Sequence, residues 1–208
     1  MKKQDISIPV IPDLYQLSSK EISKACNILG RAFREDPIWE AILKDEPDKF
    51  SIAFEVPIKH SLKYGRVYCS SPNLEGIAAW LPSDKVNMNI FQLIRSGALF
   101  SALKLGGKIG KSIREVFEMI IEDRESNMKV PYIYLYAIGV SPEHQGKGIG
   151  SNLINKMLDY LPPELPIYLE TETEQNVKLY EKLGFNVLKK ITVPSLGLPM
   201  WEMLHDRK

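Results

Sequence analysis

The sequence is poor in cysteine and histidine, and its charges almost cancel. Two cysteines and three histidines occur among 208 residues. Cys26 and Cys69 match no metal-ligand spacing, so neither a zinc-binding module nor a small disulfide-rich domain is indicated. Lysine and arginine number 27 against 26 aspartate and glutamate, a net charge of +1, which provides no overall field to draw the chain onto nucleic acid or an anionic membrane. We therefore expect small-molecule partners and reduced thiols.

Long apolar runs are also missing. No stretch of about 18 apolar residues occurs, as a membrane-spanning helix would require. The first residues, MKKQDISIPVIPDL, contain two lysines but no uninterrupted apolar segment of the kind found in signal peptides. These absences predict a cytoplasmic protein. Repeats, low-complexity tracts and linkers are absent too, so we expect a single domain over residues 1–208.

The first half of the chain alternates helical and strand-like patterns. Ser18 and Glu21 fit a capping box, and apolar residues recur after them at helical spacing until Pro37. A second helical pattern covers residues 50–64. RVYCS and LEGIAAWLP then flank a Ser-Pro-Asn turn, which predicts a β-hairpin. Residues 86–126 predict two or three helices, interrupted by Gly97, Gly106, Gly107 and Gly110.

The second half begins with YIYLYAIGV (132–140), a continuous apolar run typical of a central strand with both faces covered. Gly139 predicts a bulge or a close backbone approach there. A helix over 149–158, a strand over 167–171, a short helix and two last strands, 185–193 and 200–204, follow. We expect the short helix to start at a capping box of Thr171 and Glu174 and to end at a left-handed Gly184. This order predicts an α/β fold with a mixed sheet.

A glycine-rich segment, SPEHQGKGIGS, connects the central strand to the next helix. We refer to residues 145–151 as the glycine loop. Its glycines, Gly146, Gly148 and Gly150, fit neither a Walker loop nor the G-x-G-x-x-G dinucleotide fingerprint. A strand, a glycine-rich turn and a helix N-terminus nevertheless present free amides and a favourable helix dipole to an anion. The pattern predicts a phosphate-bearing ligand, and the alternative is a turn without a ligand.

Two motifs, in order, resemble those of the GCN5-related N-acetyltransferases (GNAT). The GNAT signature Gln/Arg-x-x-Gly-x-Gly/Ala, after a strand that ends in Val-x-Pro, is matched by Val140, Pro142, Gln145, Gly148 and Gly150. A later GNAT element is matched by Asn176, Tyr180, Gly184 and Phe185. The segments AFREDPIW, GIAAWLP and MWEML extend the resemblance toward the branch that contains puromycin N-acetyltransferase.

The resemblance implies a GNAT fold, a mixed central sheet whose parallel strands splay apart beyond Gly139 at a cofactor cleft, with a helical insertion at about residues 86–126. It also implies direct transfer of an acetyl group from acetyl-CoA to a primary amine. Pantetheine is expected to pair with the strand backbone and the pyrophosphate to lie on the glycine loop. The implied cofactor-binding residues are Ile138, Gly139, Val140, Gln145, Gly146, Lys147, Gly148, Ile149, Gly150, Ser151 and Asn176.

Direct transfer requires a proton for the leaving thiolate and an acceptor for the proton of the amine. Tyr180 is the candidate acid, because it lies four residues after Asn176, on the helix face that the resemblance turns toward the cofactor. The alternative for Tyr180 is an aromatic core anchor. Glu170, near the end of the strand that borders the cleft, is the candidate base, and a solvated glutamate at a strand end is the alternative.

The acceptor side is less defined. An insertion of about forty residues greatly exceeds the usual loop length, and such insertions often form lids or binding walls. We expect residues 86–126 to cover the acceptor side, and Asp36 and Trp39 to face the same pocket. The alternative is that the inserted helices only fill the hydrophobic core. A small amine, an aminonucleoside, a polyamine and a protein amino group remain open as acceptors.

The sequence leaves two questions about function and assembly. A non-catalytic acyl-CoA sensor of the same fold is the alternative to an enzyme, and the intact Tyr180 disfavours it. A nucleic-acid-binding domain is opposed by the net charge of +1. A homodimer is left open.

Overall fold

The computed structural model describes residues 6–206. Residues 1–5 and 207–208, which the single-domain prediction also includes, lie outside this range. Within it, one sheet contains β1 (Tyr15–Gln16), β2 (Arg66–Cys69), β3 (Gly76–Pro82), β4 (Ile133–Val140), β5 (Ile167–Thr171), β6 (Asn186–Val193) and β7 (Leu198–His205). The spatial order is β1-β2-β3-β4-β5-β7-β6. Only the β4–β5 pair is parallel among these strands, which confirms the mixed sheet.

The helices are α1 (Ile22–Ala32), α2 (Pro37–Leu43), α3 (Lys49–Tyr64), α4 (Ile90–Ser96), α5 (Leu99–Leu105), α6 (Gly107–Asn127), α7 (Ile149–Tyr160) and α8 (Glu174–Lys182). Capping side chains mark the starts of α2, α4 and α8, and the helix starts differ from the prediction at two places. Ser18 and Glu21 form the expected capping interaction, in which Ser18 N donates to Glu21 Oε2 at 3.0 Å. Asp36 caps an additional short helix that the sequence did not predict, and Thr173 rather than Thr171 caps the last one.

Both faces of the sheet are covered. On one face, α1 and α3 pack against β2 and β3, with Leu29 and Phe54 in that core. On the other face, α7 and α8 cover β3, β4 and β5, with Leu153 and Tyr180 in the core. Every residue of β3 is buried, because a central strand between two helical layers has no solvated side. None of the helices within residues 6–206 has the length and apolar content to cross a bilayer.

The central strand β4 contains an irregularity next to its parallel partner. Ala79 pairs with Ala137 and Trp80 with Leu135, so Tyr136 is an extra residue in β4 and forms the bulge. Gly139 is instead a point of close approach, since an added Cβ would lie 2.7 Å from Leu29 Cδ2 in α1.

The gap between the parallel strands opens earlier than the sequence predicted. The β4–β5 pairing consists of Ile133 with Ile167 and Tyr134 with Tyr168. The strands therefore separate after Tyr134, and not beyond Gly139 as expected. The bulge at Tyr136 accounts for this difference, because an extra residue bends its strand and interrupts the ladder.

The insertion forms three helices, as predicted. α4 and α5 pack against α3, and α6 contacts Ile38 of α2 together with β6 and β7. Gly97 (φ 71°) and Gly106 (φ 80°) lie at the C-terminal ends of α4 and α5, where a left-handed residue stops a helix without strain. Several apolar side chains of α4 and α5 do not pad the core, as their exposure shows: Ile90, Phe91, Ile94, Phe100 and Leu103.

Candidate active site

A cavity of about 570 Å³ lies where β4 and β5 separate. Its walls include residues 134–138 of β4 and 169–172 at the end of β5, together with Asn176 and Tyr180 of α8. It continues to Trp39 of α2 and to the helices of the insertion. A volume of this size is in the range of small-molecule sites. The cavity thus joins the gap in the sheet to the inserted helices.

The glycine loop lies next to this gap and exposes backbone donors. Gly146 (φ 75°) and Gly148 (φ 77°) are left-handed, and an added Cβ at either would meet no atom within 4 Å. Hydrogen bonding within α7 starts with Asn152 N donating to Gly148 O at 2.9 Å. The amides of Ile149, Gly150 and Ser151 precede that donor and are oriented as at any helix N-terminus. The loop has the geometry of an anion site.

The loop side chains mostly bind the protein itself. Gln145 Nε2 donates to Val140 O at 3.2 Å, and Lys147 Nζ donates to Glu143 O at 3.1 Å. Gly150 packs close to β4, since an added Cβ would lie 3.6 Å from Val140 Cγ2. The polar contacts of Gln145 and Lys147 shape the loop, and its exposed donors are backbone amides.

The predicted β4 residues pair with β3 on one edge only. Ile138 pairs with Ala78, Gly139 with Ile77 and Val140 with Gly76. Beyond Tyr134, β5 forms no ladder with the opposite edge of β4. Ile138 lines the cavity. This edge has the geometry to receive an extended chain that carries amide groups.

Tyr180 belongs both to the core and to the cavity. Its ring packs against Phe185 with centroids 5.7 Å apart, and the residue also lines the cavity beside Asn176. Burial, and secondarily the charge of Glu172, raise the pKa of the Tyr180 phenol above its usual value. The hydroxyl therefore keeps its proton at neutral pH.

Glu170 is buried and paired rather than solvated. Its side chain is 6% exposed. Tyr134 Oη donates to its Oε2 at 2.6 Å, and Arg124 Nη1 lies 3.5 Å from its Oε1. Burial raises the pKa of Glu170, while Arg124 and Tyr134 oppose that rise. The alternative of a solvated strand-end glutamate is wrong.

Arg124 of α6 was not predicted from sequence. It is 2% exposed, its guanidinium lies 5.0 Å from the centroid of the Tyr134 ring, and it donates to Asn87 Oδ1 at 2.7 Å. A sequence signal was present, because Arg124 continues the buried positions Val116 and Ile120 at four-residue spacing. A lone arginine on an apolar helix face indicates a buried partner.

A second missed residue, Glu172, follows β5 and lines the cavity. Its carboxyl group interacts with that of Asp36: burial raises the pKa of both groups, and the charge of Asp36 raises that of Glu172 further. Asp36 Oδ1 also accepts from Ile38 N at 3.1 Å and Trp39 N at 3.0 Å. Asp36 thus caps α2 and contacts the cavity through Glu172. Two carboxyls this close share a proton, because both cannot ionise at low cost.

Trp39, which follows the first helix, lines the cavity. The sequence predicted this position for it. Its ring is 5.2 Å from that of Phe54, which is 4.7 Å from Phe33. The other side of the cavity is formed by α6 through Ile113, Phe117 and Ile121. The inserted helices and the exit of α1 therefore border the same space.

Known proteins with similar sequences are acetyltransferases. The acetyltransferase (GNAT) family profile matches residues 105–185. An uncharacterized N-acetyltransferase, C550.08, of Schizosaccharomyces pombe is 27% identical over 180 residues, which cover 82% of this chain and 72% of that protein. Spermidine N(1)-acetyltransferase of Vibrio cholerae is 38% identical over 81 residues, 32% of this chain and 47% of that protein.

Solved structures share the fold over nearly the whole chain. Arylalkylamine N-acetyltransferase 2 of Aedes aegypti has a TM-score of 0.66 at 15% identity and covers 94% of this chain and 98% of its own. A histone acetyltransferase HPA2 and related acetyltransferase of Corynebacterium glutamicum has a TM-score of 0.63 at 21% identity, covering 94% and 96%. At these identities the likeness concerns the fold alone.

Proposed function

We propose that this chain is an acetyl-CoA-dependent N-acetyltransferase of the GNAT superfamily, and that it transfers the acetyl group to the primary amine of a small molecule. The observation that carries this proposal is the cavity between β4 and β5. It connects the β4 edge next to the glycine loop with Tyr180 and Glu172, so cofactor and proton-transfer groups converge on one space. The resemblance to the branch that contains puromycin N-acetyltransferase stays a prediction, and it does not transfer the substrate.

The glycine loop fits the cofactor phosphates. Open space around Gly146 and Gly148 and the unused amides at the start of α7 provide donors without a competing side chain. The free edge of β4 at Ile138 to Val140 suits the amide groups of pantetheine. Acetyl-CoA would supply an activated thioester, and the protein would orient that thioester toward the amine.

Tyr180 is proposed as the general acid. The amine nitrogen bonds to the thioester carbonyl carbon, the carbon–sulfur bond breaks, and the sulfur leaves as a thiolate. The Tyr180 phenol is protonated at neutral pH and donates its proton as negative charge develops on the sulfur. The phenolate that remains takes a proton from solvent, and the proton acceptor of the amine releases one to solvent. Amide and free thiol are the products.

Glu172, supported by Asp36, is proposed as the proton acceptor in place of Glu170. Glu170 already binds Arg124 and Tyr134, and protonating it would break that buried ion pair at high cost. Glu172 instead has no cationic partner among the cavity-lining residues, and burial together with the charge of Asp36 raises its pKa, so that it binds a proton more readily than an ordinary carboxylate does. We assign Glu170 a positioning role at the cavity wall.

Two measurements test the function. Isothermal titration with acetyl-CoA should show binding, and a thiol-release assay with an amine panel should show turnover. Binding without release on any amine would favour the sensor alternative. Tyr180 and Glu172 beside the cavity support the enzyme, because a sensor needs neither an acid nor a base.

We also propose a cytoplasmic location and a small-molecule partner in preference to nucleic acid. The near-zero net charge supports the latter. Salt-dependent binding to DNA or RNA in a filter assay would contradict the preference for a small molecule.

Two of the similar proteins are named as a spermidine and an arylalkylamine N-acetyltransferase, which supports an amine as the acceptor.

A further inference from the structure

The acceptor end of the cavity has few charges available to a ligand. Its acidic lining residues are Glu118, Glu170 and Glu172, and its basic ones are Arg114 and Arg124. Arg114 lies 3.5 Å from Glu118 and Arg124 lies 3.5 Å from Glu170. Among these lining residues, only Glu172 is left without a cationic partner. The cavity therefore offers one carboxyl group to one ammonium or amine.

The remaining surface of this end is apolar and partly aromatic. Trp39 and Phe54 form one side. Phe117 of α6 forms another, its ring 6.3 Å from that of Tyr136 in an edge-to-face arrangement. Val86, Met88, Leu93, Leu105, Ile113 and Ile121 complete the apolar lining.

We propose that the acceptor is a primary monoamine with a compact apolar body, aromatic or branched aliphatic, and that Phe117 is a specificity-determining residue for that body. This inference rests on the proposed N-acetyltransferase function. The amine lies at Glu172, next to the gap where the thioester is held, and the apolar body lies between Trp39 and Phe117. Burial of such a body is favourable, in proportion to the apolar area removed from water.

A polyamine fits this site poorly. Its additional ammonium groups would meet either apolar side chains or carboxylates that already bind Arg114 and Arg124. Burying an unpaired charge is costly, and the buried Arg124 would add repulsion, whereas the charges of Arg114 and Glu118 are exposed and screened by solvent. The same reasoning disfavours a lysine within a basic peptide segment.

The experiment compares amines at saturating acetyl-CoA by thiol release. The panel contains phenethylamine, isoamylamine, spermidine and a basic peptide in which one lysine is flanked by arginines. We expect kcat/KM for phenethylamine and isoamylamine to exceed that for spermidine and the peptide by about tenfold or more, as buried-charge penalties imply.

A pair of variants tests the role of Phe117. Phe117→Ala should raise the KM for phenethylamine about tenfold, with acetyl-CoA affinity unchanged, because it removes a wall of the acceptor end only. Phe100→Ala is the matched control, since Phe100 belongs to the same insertion but is 76% exposed. It should leave both constants unchanged.

Each other outcome has a defined meaning. Preference for spermidine or the peptide, or equal effects of Phe117→Ala and Phe100→Ala, would overturn the inference while the transferase function stands. If no amine releases thiol, the proposed function fails. Titration of phenethylamine into the CoA-bound protein then tests separately whether the cavity binds an apolar monoamine next to Phe117. Binding of phenethylamine that Phe117→Ala weakens would support the inference about the acceptor, and absence of binding would overturn that inference.

Discussion

The glycine loop, which packs beside the end of β4, and the helical insertion, which lines the cavity, are built in opposite ways. The loop presents backbone amides, and its left-handed glycines, Gly146 and Gly148, leave open space around them. The insertion presents side chains, including Phe117 and the buried Arg124. A site made of backbone depends on a few local residues, whereas a site made of side chains depends on how distant elements pack. The two regions should therefore respond differently to mutation.

The gap between these regions, where Tyr180 lies, should give the largest effect. Tyr180→Phe is expected to lower kcat by about 10- to 10⁴-fold with little change in acetyl-CoA affinity, because the ring still packs on Phe185 while the donated proton is lost. Steady-state kinetics and titration measure the two quantities. Tyr160→Phe, on the exposed side of α7 at 41% exposure, is the control. Wild-type turnover in Tyr180→Phe would return Tyr180 to the core-anchor interpretation.

Glu172→Gln tests the acceptor-side chemistry. Because the pKa of Glu172 is raised, its base form increases as pH rises, so wild-type kcat/KM should rise with pH through a value above the usual carboxyl range. The variant should lower kcat by about 10²-fold or more and lose this rising limb. A pH profile that Glu172→Gln leaves unchanged would exclude Glu172 as the base.

The same raised pKa has a consequence for stability. A folded-state pKa above the unfolded value means that the protonated carboxyl stabilises the fold below the unfolded pKa, and that this contribution is lost as pH rises through the folded pKa. Urea unfolding at about pH 5 and about pH 8 should therefore show wild type losing more stability with rising pH than Glu172→Gln does.

Gly148→Val tests the backbone site. A side chain there should block the approach of phosphate to the amides and abolish measurable acetyl-CoA binding, while the fold persists. Left-handed strain alone costs roughly 1–2 kcal/mol. Gly197→Val provides the control, since Gly197 (φ 68°) has the same backbone strain in the turn before β7 and open space around it. If both variants bind the cofactor like wild type, the assignment of the glycine loop is wrong.

The inserted helices can be perturbed at their junction. Gly106→Ala/Gly107→Ala should change the acceptor KM severalfold and acetyl-CoA affinity little, because Gly106 has φ 80° at the α5–α6 boundary and its strain displaces α6. Paired kinetics and titration measure both constants. Equal losses for the two ligands would mean that the insertion is scaffold for the whole site.

Lys147→Ala should have the smallest effect. Lys147 adds a screened surface charge to a site of backbone donors, so acetyl-CoA affinity should fall only a few-fold, and less at high salt. Titration at low and high ionic strength measures this. A large, salt-independent loss would show that the lysine side chain, and not the backbone, holds the cofactor.

Much of the fold was predictable from local pattern. The apolar run of β4, the helix after the glycine loop and Gly184 (φ 89°) at the end of α8 are consequences of neighbouring residues. The start of α8 was misplaced, because Thr171 has Glu174 at capping-box spacing, whereas Thr173, which caps the helix, has Asn176 there. Thr171 instead ends β5. The short α2 was missed, since Pro37 marks a stop for α1 and equally a first residue for α2.

By itself the sequence determined the conformation of the glycine loop. Strand, glycines and helix N-terminus are contiguous, and their conformations follow from local backbone preferences. Only the tertiary structure decided the acceptor end. The pairing of Asp36 with Glu172 and of Arg124 with Glu170, and the early separation of β4 from β5, join residues far apart in the chain. Such contacts form only after the elements have assembled. Burial then raises the free-energy cost of each charged side chain, and a nearby partner of opposite charge offsets that cost.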